Sequence, residues 1–289
     1  MKRASGLLAV DVDGTLITDH GHITDMVYDA LKRAASANWE IVIASGRTYY
    51  AAKKVCGELP FVRYGAFSNG ACIMNVKDAG VVHMVTISSG LAEKIIRTMR
   101  DNGVIPALYT TNHENQRIYY DTLDGACELF EWYVTNDQRC ALVDDVMTYT
   151  DDVLQIGAIA KKNTVLDIRD ALDEFGVRVM TLPFESSHIG GKNREFWFLQ
   201  VIGIDAMKHI ALKRLADMLN IPAGRLVAVG DNYNDADMII NADIGIAMGN
   251  APEEVKKLAQ MVVGSNNDSG LSEVVDRVLL SGDYFSESD

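Results

Sequence analysis

The amino-acid sequence predicts an α/β fold, a doubly wound parallel sheet that carries an inserted α+β domain. Two short apolar runs, at residues 7–10 and 41–44, end in polar residues or glycine, as buried parallel strands do at their C-terminal ends. Strand and helix patterns alternate up to about residue 83 and again after about residue 206, whereas the segment between them has consecutive strands as well as helices. A chain of 289 residues is also longer than a single core usually fills, which favours a second domain.

The first part of the chain predicts a right-handed βαβ unit followed by a change in strand pairing. Helical spacing at 24–37 separates the two apolar strands, and Thr24 or Asp25 is available as the N-cap of this helix. The turn sequence Ser68-Asn69-Gly70 then separates two strand-like stretches. The other elements predicted here are a helix at 51–56 and strands near 61–67 and 71–74.

Residues 84–196 predict a separate α+β domain inserted into the first one. The predicted helices of this segment are at 90–100, 125–135 and 165–175, and its strands are near 104–110, 117–121, 153–161, 177–182 and 195–201. The βα alternation returns with a helix at 206–220, a strand at 226–229, a helix at 236–240, a strand at 244–247 and two closing helices. We therefore predict one domain from residues 1–83 and 197–289 and a second from residues 84–196.

The charge and the apolar runs of the chain disfavour nucleic acid and membranes as partners. The 40 Asp and Glu residues outnumber the 27 Lys and Arg residues, and the net charge of −13 repels phosphate backbones and anionic lipids. Asp11 cuts the first apolar run short of a signal-peptide core, and no run approaches about 18 residues, the length of a membrane span. The four cysteines form no metal-binding pattern and indicate a reducing compartment, so we expect a cytoplasmic protein.

Two acidic clusters follow predicted strands. Asp11 and Asp13 come after the first strand, and their side chains would face one side if the strand continued through both. The segment 230–235, Gly-Asp-Asn-Tyr-Asn-Asp, follows the strand at 226–229. Because such sheets keep their sites at the carboxyl ends of the strands, the two clusters can converge. A few carboxylates with open positions for water and phosphate suit Mg²⁺, and the spacing after Asp11 does not match an EF-hand.

Two features between these clusters suit a phosphate group. Ser45 and Gly46, at the end of the second strand, offer a hydroxyl and a backbone N–H near a helix N-terminus, where phosphate oxygens bind. Lys208, at the start of the helix after the insertion, can supply a positive charge. Aspartates after strands are usually turn or cap residues, so no single residue indicates a phosphate site. The hypothesis of such a site depends on the occurrence of all these features in this order along the chain.

Four sequence motifs therefore occur in order along the predicted core, with two further segments beside them. The motifs are Asp-Val-Asp-Gly-Thr-Leu at 11–16, Ala-Ser-Gly-Arg at 44–47, Lys208 and the segment 230–238, and the further segments are 68–71 and 247–251. On these residues the sequence resembles the haloacid dehalogenase-like (HAD) phosphatase superfamily, in particular its Cof-type sugar-phosphatase branch, subfamily IIB. The resemblance implies a Rossmann-like core with an inserted cap domain that selects the substrate. One departure is His209, where the family usually has glycine.

The resemblance also implies a role for each motif residue. Asp11 would be the nucleophile that forms an aspartyl-phosphate, and Asp13 would protonate the leaving group and then activate water. Mg²⁺ would be bound by the Asp11 carboxylate, the backbone carbonyl of Asp13 and the Asp231 carboxylate, with Asp235 through water or directly. The groups that would bind the phosphoryl oxygens are Ser45, Lys208, Asn234 and the N–H groups of Val12 and Gly46.

The function implied is a Mg²⁺-dependent phosphatase for small phosphorylated metabolites, sugar phosphates foremost, acting as a monomer or a homodimer. Arg47, Asn69 and Gly70 would lie on the substrate side of its site. Two enzyme alternatives stay open, a phosphomutase and a phosphatase dedicated to a disaccharide phosphate. A non-catalytic phosphate-binding regulator is a third alternative, against which the presence of Asp13 and the long insertion count.

Overall fold

A computed structural model describes residues 4–112, 116–183 and 195–281 of the chain. The chain divides into two compact units. The first, called the core unit below, consists of Met1–His83 and Met207–Asp289, and the second, called the insertion, consists of Met84–Ala206.

The secondary structure of the described residues alternates between strands and helices in the core unit and is richer in strands in the insertion. The strands are β1 (Gly6–Val10), β2 (Trp39–Ala44), β3 (Tyr64–Phe67), β4 (Cys72–Asn75), β5 (Gly80–Met84), β6 (Ala107–Thr110), β7 (Ile118–Tyr120), β8 (Cys140–Leu142), β9 (Val153–Lys161), β10 (Val177–Pro183), β11 (Phe196–Gly203), β12 (Leu226–Gly230), β13 (Ile244–Ala247) and β14 (Met261–Val262). The α-helices are α1 (Asp25–Ser36), α2 (Tyr49–Glu58), α3 (Ser89–Asp101), α4 (Glu128–Asn136), α5 (Lys162–Ala171), α6 (Lys208–Met218), α7 (Ala236–Asn241), α8 (Glu253–Lys256) and α9 (Gly270–Val274). A π-helical segment, Val275–Leu280, follows α9.

The core unit is built on an eight-stranded sheet in the order β14-β13-β12-β1-β2-β3-β4-β5. The strands from β14 to β3 pair in parallel, and β4 is antiparallel to β3. All residues of β1 are buried, so both of its faces are covered and its sequence is apolar throughout. On one face, Leu7 and Ala9 belong to the same apolar cluster as Ala211 and Leu212 of α6.

The insertion has its own six-stranded sheet in the order β10-β11-β9-β6-β7-β8. Its strands pair antiparallel except β7 and β8, which are parallel. One face is covered by α3 and α5, where Ile96 and Ile168 share an apolar cluster with Ile156 of β9. The other face carries α4, where Phe130 clusters with Tyr109 of β6. The insertion therefore has a core on each side of its sheet.

The α/β architecture with a parallel core sheet confirms the predicted fold class. Thr24 caps α1 through its side-chain oxygen, which accepts the N–H of Val27 at 3.3 Å, so this helix begins where its cap residue indicates. Among the helices of the described residues, none combines the length and the apolar character that crossing a bilayer requires.

Two features of the fold differ from the sequence-based expectations. The first is β11, which pairs with β9 and β10, so residues 197–206 lie in the insertion, whereas the predicted boundary put them in the core. The second is a set of three short strands that were not predicted, β5, β8 and β14, each of which lies at an edge of its sheet. Edge strands have one pairing partner and bury fewer side chains, so their apolar pattern is weak.

Candidate active site

The functional residues predicted in the core unit meet at one edge of its sheet. Val10 at the end of β1 lies opposite Ile43 of β2 and Val229 of β12. The three strands therefore end at the same level, and the loops that begin at Asp11, Ser45 and Asp231 start side by side. This is the carboxyl edge, where sheets of this kind bind ligands.

Lys208 lies between two buried carboxylates. Its Nζ donates to Asp11 Oδ1 at 2.6 Å and to Asp235 Oδ1 at 2.5 Å, and none of the three side chains is more than slightly exposed. Burial alone would lower the pKa of Lys208, but the two carboxylates outweigh burial and raise this pKa above its usual range. Lys208 is therefore a charged ammonium group at the neutral pH of a cell.

Negative charge is crowded around this ammonium group. One carboxylate oxygen from each of Asp11, Asp231 and Asp235 lies within 4.8 Å of the other two. Burial and the charge of Asp235 raise the pKa of Asp11 well above its usual range, although Lys208 acts in the opposite direction. Burial, followed by the charge of Asp235, raises the pKa of Asp231 to about 7. Three carboxylates with one lysine form a site that a cation would stabilise.

Asp235 holds the loop after β12 in place. Its Oδ2 accepts the backbone N–H groups of Asp231 and Asn232, each at 3.0 Å, and its Oδ1 accepts from Lys208. Both oxygens of Asp235 are thus engaged by hydrogen-bond donors, and the residue is completely buried. Asp235 orients the chain around Asp231 and fixes the position of Lys208.

Asp231 receives one donor on each of its oxygens. The hydroxyl of Thr15 donates to Oδ1 at 3.3 Å, and the side-chain amide of Asn250 donates to Oδ2 at 3.2 Å. Gly14 has a left-handed φ of 74°, and a Cβ at this position would lie 2.2 Å from Asp231 Oδ2. Glycine at position 14 therefore allows the turn after β1 to pass directly beside the Asp231 carboxylate.

Asp13 is exposed, unlike the buried carboxylates, and pairs with Arg47. Its carboxylate accepts two hydrogen bonds from Arg47, Nε to Oδ2 at 2.8 Å and Nη2 to Oδ1 at 2.5 Å, and 58% of its side chain is exposed. The expectation that Asp11 and Asp13 face one side depended on a regular strand through both. The strand ends at Val10, and Val12 and Asp13 belong to a tight turn in which the N–H of Leu16 donates to the Val12 carbonyl.

Gly46, Asn69 and Asn234 lie together beside Ser45. A Cβ at Gly46 would be 3.1 Å from Asn69 Oδ1 and 3.5 Å from Asn234 Nδ2. The Asn234 amide donates to Asn69 Oδ1 at 3.3 Å, and the backbone N–H of Asn69 donates to the Ser45 carbonyl at 3.0 Å. The buried Ser45 hydroxyl accepts the N–H of Arg47 at 3.1 Å. The turn after β3, which carries Asn69, thus joins the loop after β2 to the loop after β12.

Gly70 supports the start of α6. Its φ is 94°, and a Cβ here would lie 2.3 Å from the carbonyl oxygen of Met207 and 2.9 Å from the backbone nitrogen of Lys208. The turn at Ser68–Gly70 therefore packs against the residues that carry the lysine, and only glycine permits this approach. Gly70 acts on the site through Lys208.

His209 occupies the position where the family usually has glycine, and it does not displace the helix start. Helix α6 begins at Lys208, and its first turn is held by Asp237, whose Oδ2 accepts the backbone N–H of His209 at 3.2 Å. The His209 ring reaches the same oxygen through Nδ1 at 3.1 Å. The imidazole therefore adds a second contact between His209 and Asp237.

Three residues at this site had no role assigned from the sequence. They are Thr15, Asp237 and Asn250, each of which forms a hydrogen bond to or from a predicted site segment. All three belong to the motif segments 11–16, 230–238 and 247–251. The motifs thus contained these three residues, but their hydrogen-bond partners lie 19 or more residues away along the chain, and a sequence pattern does not show such contacts.

Comparison with known proteins identifies the family of this chain. The family model described as haloacid dehalogenase-like hydrolase matches residues 8–275. The matched residues include Asp11, Lys208 and Asp231, which lie at the carboxyl edge of the core sheet. The chain belongs to the haloacid dehalogenase-like hydrolase family, as its motifs indicate.

Individual relatives match along almost the whole chain. Phosphatase YwpJ of Bacillus subtilis is 25% identical in an alignment 300 residues long, and this alignment covers 94% of this chain and 99% of that protein. Pyridoxal phosphate phosphatase YbhA of Escherichia coli is 24% identical over 274 residues, 93% of this chain and 97% of that protein. A solved haloacid dehalogenase-like hydrolase from Bacteroides thetaiotaomicron has a TM-score of 0.77 at 22% identity and covers 96% of this chain and 100% of its own, so it has the same fold.

Proposed function

We propose that this hydrolase is a Mg²⁺-dependent phosphatase that releases phosphate from small phosphorylated metabolites through an aspartyl-phosphate on Asp11. The observation that carries the proposal is the buried contact of the Lys208 ammonium with the Asp11 carboxylate. A fixed positive charge beside a potential nucleophile, at the sheet edge where the loops that carry Ser45 and Asn234 also begin, suits a phosphoryl group. Relatives named as phosphatases match nearly the full length of the chain and support the same activity here.

The donor set fits a magnesium ion. Asp11 and Asp231 offer carboxylate oxygens that lie close together, and Asp13 would add its backbone carbonyl, all of them the hard oxygen ligands that Mg²⁺ prefers. The raised pKa of Asp231, about 7, reflects burial and the charge of Asp235, and a cation would offset this repulsion. Asp235 belongs to the same acidic cluster and would bind the ion through water or directly, since each carboxylate oxygen can accept more than one bond. When bound, Mg²⁺ would reduce the repulsion between the attacking carboxylate and the phosphoryl group.

In the first step Asp11 attacks phosphorus. A bond forms between an Asp11 carboxylate oxygen and phosphorus while the bond from phosphorus to the ester oxygen breaks. The Asp13 carboxyl gives its proton to the departing oxygen, which leaves as an alcohol. Arg47 donates to both oxygens of this group, which is the pairing of the carboxylate form, so one of these hydrogen bonds would be released when Asp13 carries the proton. The groups proposed to hold the phosphoryl oxygens are Ser45, Lys208, Asn234 and the N–H groups of Val12 and Gly46.

In the second step water releases the phosphoryl group. The Asp13 carboxylate, now without its proton, takes a proton from the water molecule that attacks phosphorus. The bond between phosphorus and the Asp11 oxygen breaks, phosphate leaves, and the Asp11 carboxylate is restored. Lys208 stays close to Asp11 throughout, which favours the return of the negative charge to this side chain.

The proposed substrates are small phosphate monoesters. Sugar phosphates are the first candidates, and pyridoxal phosphate, which the name of the E. coli relative specifies, is the second. The insertion is proposed to select among them, since it is a compact unit with its own sheet and is not needed to build the catalytic edge of the core. We further propose a cytoplasmic location, because all four cysteines are unpaired thiols.

Phosphate release from a panel of compounds tests this proposal. The panel contains sugar phosphates, pyridoxal phosphate, a nucleotide and an aryl phosphate, each with Mg²⁺ and with EDTA. We expect release that requires Mg²⁺ and that Asp11→Asn reduces by several orders of magnitude, while the surface variant Asp29→Asn, which makes the same chemical change on α1, retains full activity. Release that survives both EDTA and Asp11→Asn would contradict the proposal, and transfer to a second sugar hydroxyl without release would favour the phosphomutase.

A further inference from the structure

We infer that Asn250 is a positioning residue that sets the orientation of the Asp231 carboxylate for the cation. The inference rests on the proposed magnesium site and adds to it a residue from a different loop. Asn250 follows β13, and the N–H of Met248 in the same loop donates to the carbonyl of Gly230 at 3.0 Å. The loop after β13 is thus fastened to the loop that carries Asp231.

The Asn250 amide uses both of its N–H donors at the site. Its Nδ2 donates to Asp231 Oδ2 at 3.2 Å and to the backbone carbonyl of Gly14 at 2.9 Å. One hydrogen bond restrains the carboxylate, and the other joins the turn after β1, which contains Asp13. The two segments that supply the proposed ligands Asp13 and Asp231 are therefore connected through a single side chain.

The orientation of this amide is determined by a third hydrogen bond. Asn250 Oδ1 accepts the backbone N–H of Asn266 at 3.0 Å. If the amide were turned over, its oxygen would face the carboxylate of Asp231 and the carbonyl of Gly14, and three acceptors would meet without a donor. Only the orientation with nitrogen toward Asp231 satisfies all these groups.

Asn266, which anchors Asn250, is itself held firmly. Its buried side chain donates to the Ile17 carbonyl at 3.0 Å and to Asp19 Oδ1 at 3.1 Å. Asn250 consequently projects from a fixed loop toward the carboxyl edge of the sheet. A donor fixed in this way restricts the rotation of the Asp231 carboxylate before a cation binds.

This arrangement leaves the carboxylate of Asp231 with one donor on each oxygen, Thr15 on Oδ1 and Asn250 on Oδ2. Each carboxylate oxygen can accept more than one bond, so lone pairs stay available for a metal ion. A neutral amide also restrains the carboxylate without adding a fourth negative charge to Asp11, Asp231 and Asp235. Outer residues of this kind typically change metal affinity about 10- to 100-fold when they are removed.

Titration of the purified full chain with MgCl₂ alone tests the inference. The measurement is the rise in melting temperature with Mg²⁺ concentration, checked by calorimetric titration, so no substrate or turnover is involved. Two variants remove the amide, Asn250→Ala and the similarly sized Asn250→Leu. The control is Asn267→Ala, which removes an amide from the adjacent loop that contacts Asp19.

We expect both Asn250 variants to need about 10- to 100-fold more Mg²⁺ for half of the thermal shift, and the control to match the wild type. Melting temperatures in EDTA report on folding, and the Leu variant keeps the test decisive if the Ala variant does not fold. A wild-type Mg²⁺ midpoint in a folded Asn250 variant would overturn the inference and leave the proposed function standing. A wild-type protein without any response to Mg²⁺ would overturn the magnesium site and the inference with it.

Discussion

Arg47 binds the carboxylate of Asp13 through two hydrogen bonds, Nε to Oδ2 at 2.8 Å and Nη2 to Oδ1 at 2.5 Å. The two residues come from the loops that follow β1 and β2, so the contact joins the first two motifs of the chain. A paired guanidinium and carboxylate are held in one relative orientation as well as attracted to each other. The proposed acid and base therefore has a defined position although its side chain is mostly exposed.

Removing the Arg47 side chain is predicted to lower kcat for substrates with poor leaving groups. Proton transfer by a positioned group typically contributes 10²- to 10⁴-fold, and Arg47→Ala leaves Asp13 present but unrestrained, so we expect a loss of about 10-fold or more. An aryl phosphate, whose leaving group needs little protonation, should lose much less. The measurement is kcat for an alkyl and an aryl phosphate with Arg47→Ala and with Arg33→Ala, a surface ion-pair variant. Equal losses for the two substrates would argue against this role.

Replacing Lys208 by methionine is predicted to destabilise the fold as well as abolish turnover. The side chains of Lys208 and Asp235 are completely buried and that of Asp11 nearly so, and without the ammonium group two buried carboxylates stay uncompensated. Loss of one partner from a buried ion pair costs about 3–5 kcal/mol in the free energy of unfolding. Urea unfolding measures the effect. Lys213→Met, on the exposed side of the same helix, should change this free energy by less than about 0.5 kcal/mol.

The stability of the EDTA-treated protein is predicted to contain a contribution from Asp231 that falls as pH rises. The pKa of this group is about 7 in the folded chain against an ordinary value of 3.8, with burial as the main cause. Between these values the folded chain keeps a proton that the unfolded chain releases, so the contribution is complete below pH 3.8 and is lost as pH passes about 7. The measurement is the difference in unfolding free energy between wild type and Asp231→Asn from pH 4 to 8. If the unfolding free energy of the wild type increased relative to that of Asp231→Asn as pH rises, the raised pKa of Asp231 would be contradicted.

Gly70→Ala is predicted to disturb Lys208 through the backbone. A methyl group at this position would approach the Met207 carbonyl to 2.3 Å, and the φ of 94° is strained for alanine, so we expect destabilisation of about 1–3 kcal/mol together with a lower kcat. Gly57→Ala in α2 is the control. Gly57 is the next-to-last residue of α2, and a Cβ there meets no atom within 4 Å, so alanine should leave the stability unchanged or raise it by at most about 0.5–1 kcal/mol. A Gly70→Ala variant with wild-type stability and turnover would show that the close approach is unimportant.

The sequence predicts the central strands of the core unit well, because strands that are buried on both faces consist of continuous apolar runs. Strand β1 is apolar throughout and is followed at once by Asp11, and this run of residues suffices to place the aspartate at the carboxyl edge. Strand β11 shows the limit of the same argument. Its sequence predicts a strand at 195–201 among those of the insertion, but the predicted boundary after residue 196 cuts through this strand, and its pairing with β9 and β10 assigns all of it to the insertion.

The site is predictable to the extent that its residues lie in motifs. Asp11, Lys208 and Asp231 come together as their motifs imply, whereas the contact between Asp13 and Arg47 depends on where β1 stops. The strand ends at Val10, and after it Asp11 is buried against Lys208 whereas Asp13 is exposed and pairs with Arg47. Local turn geometry and long-range side-chain contacts have no periodic pattern, so they become visible only in three dimensions.

Detection of a phosphorylated Asp11 tests the central claim most directly. The variant Asp13→Asn keeps the nucleophile but lacks the base that activates water, so the intermediate should accumulate with an aryl phosphate in the presence of Mg²⁺. Rapid acid quenching followed by mass spectrometry should find the added mass of one phosphoryl group on the peptide that contains Asp11, and none when Asp11 is also replaced by Asn. Turnover of the aryl phosphate with no such adduct, or an adduct on another residue, would contradict the covalent mechanism.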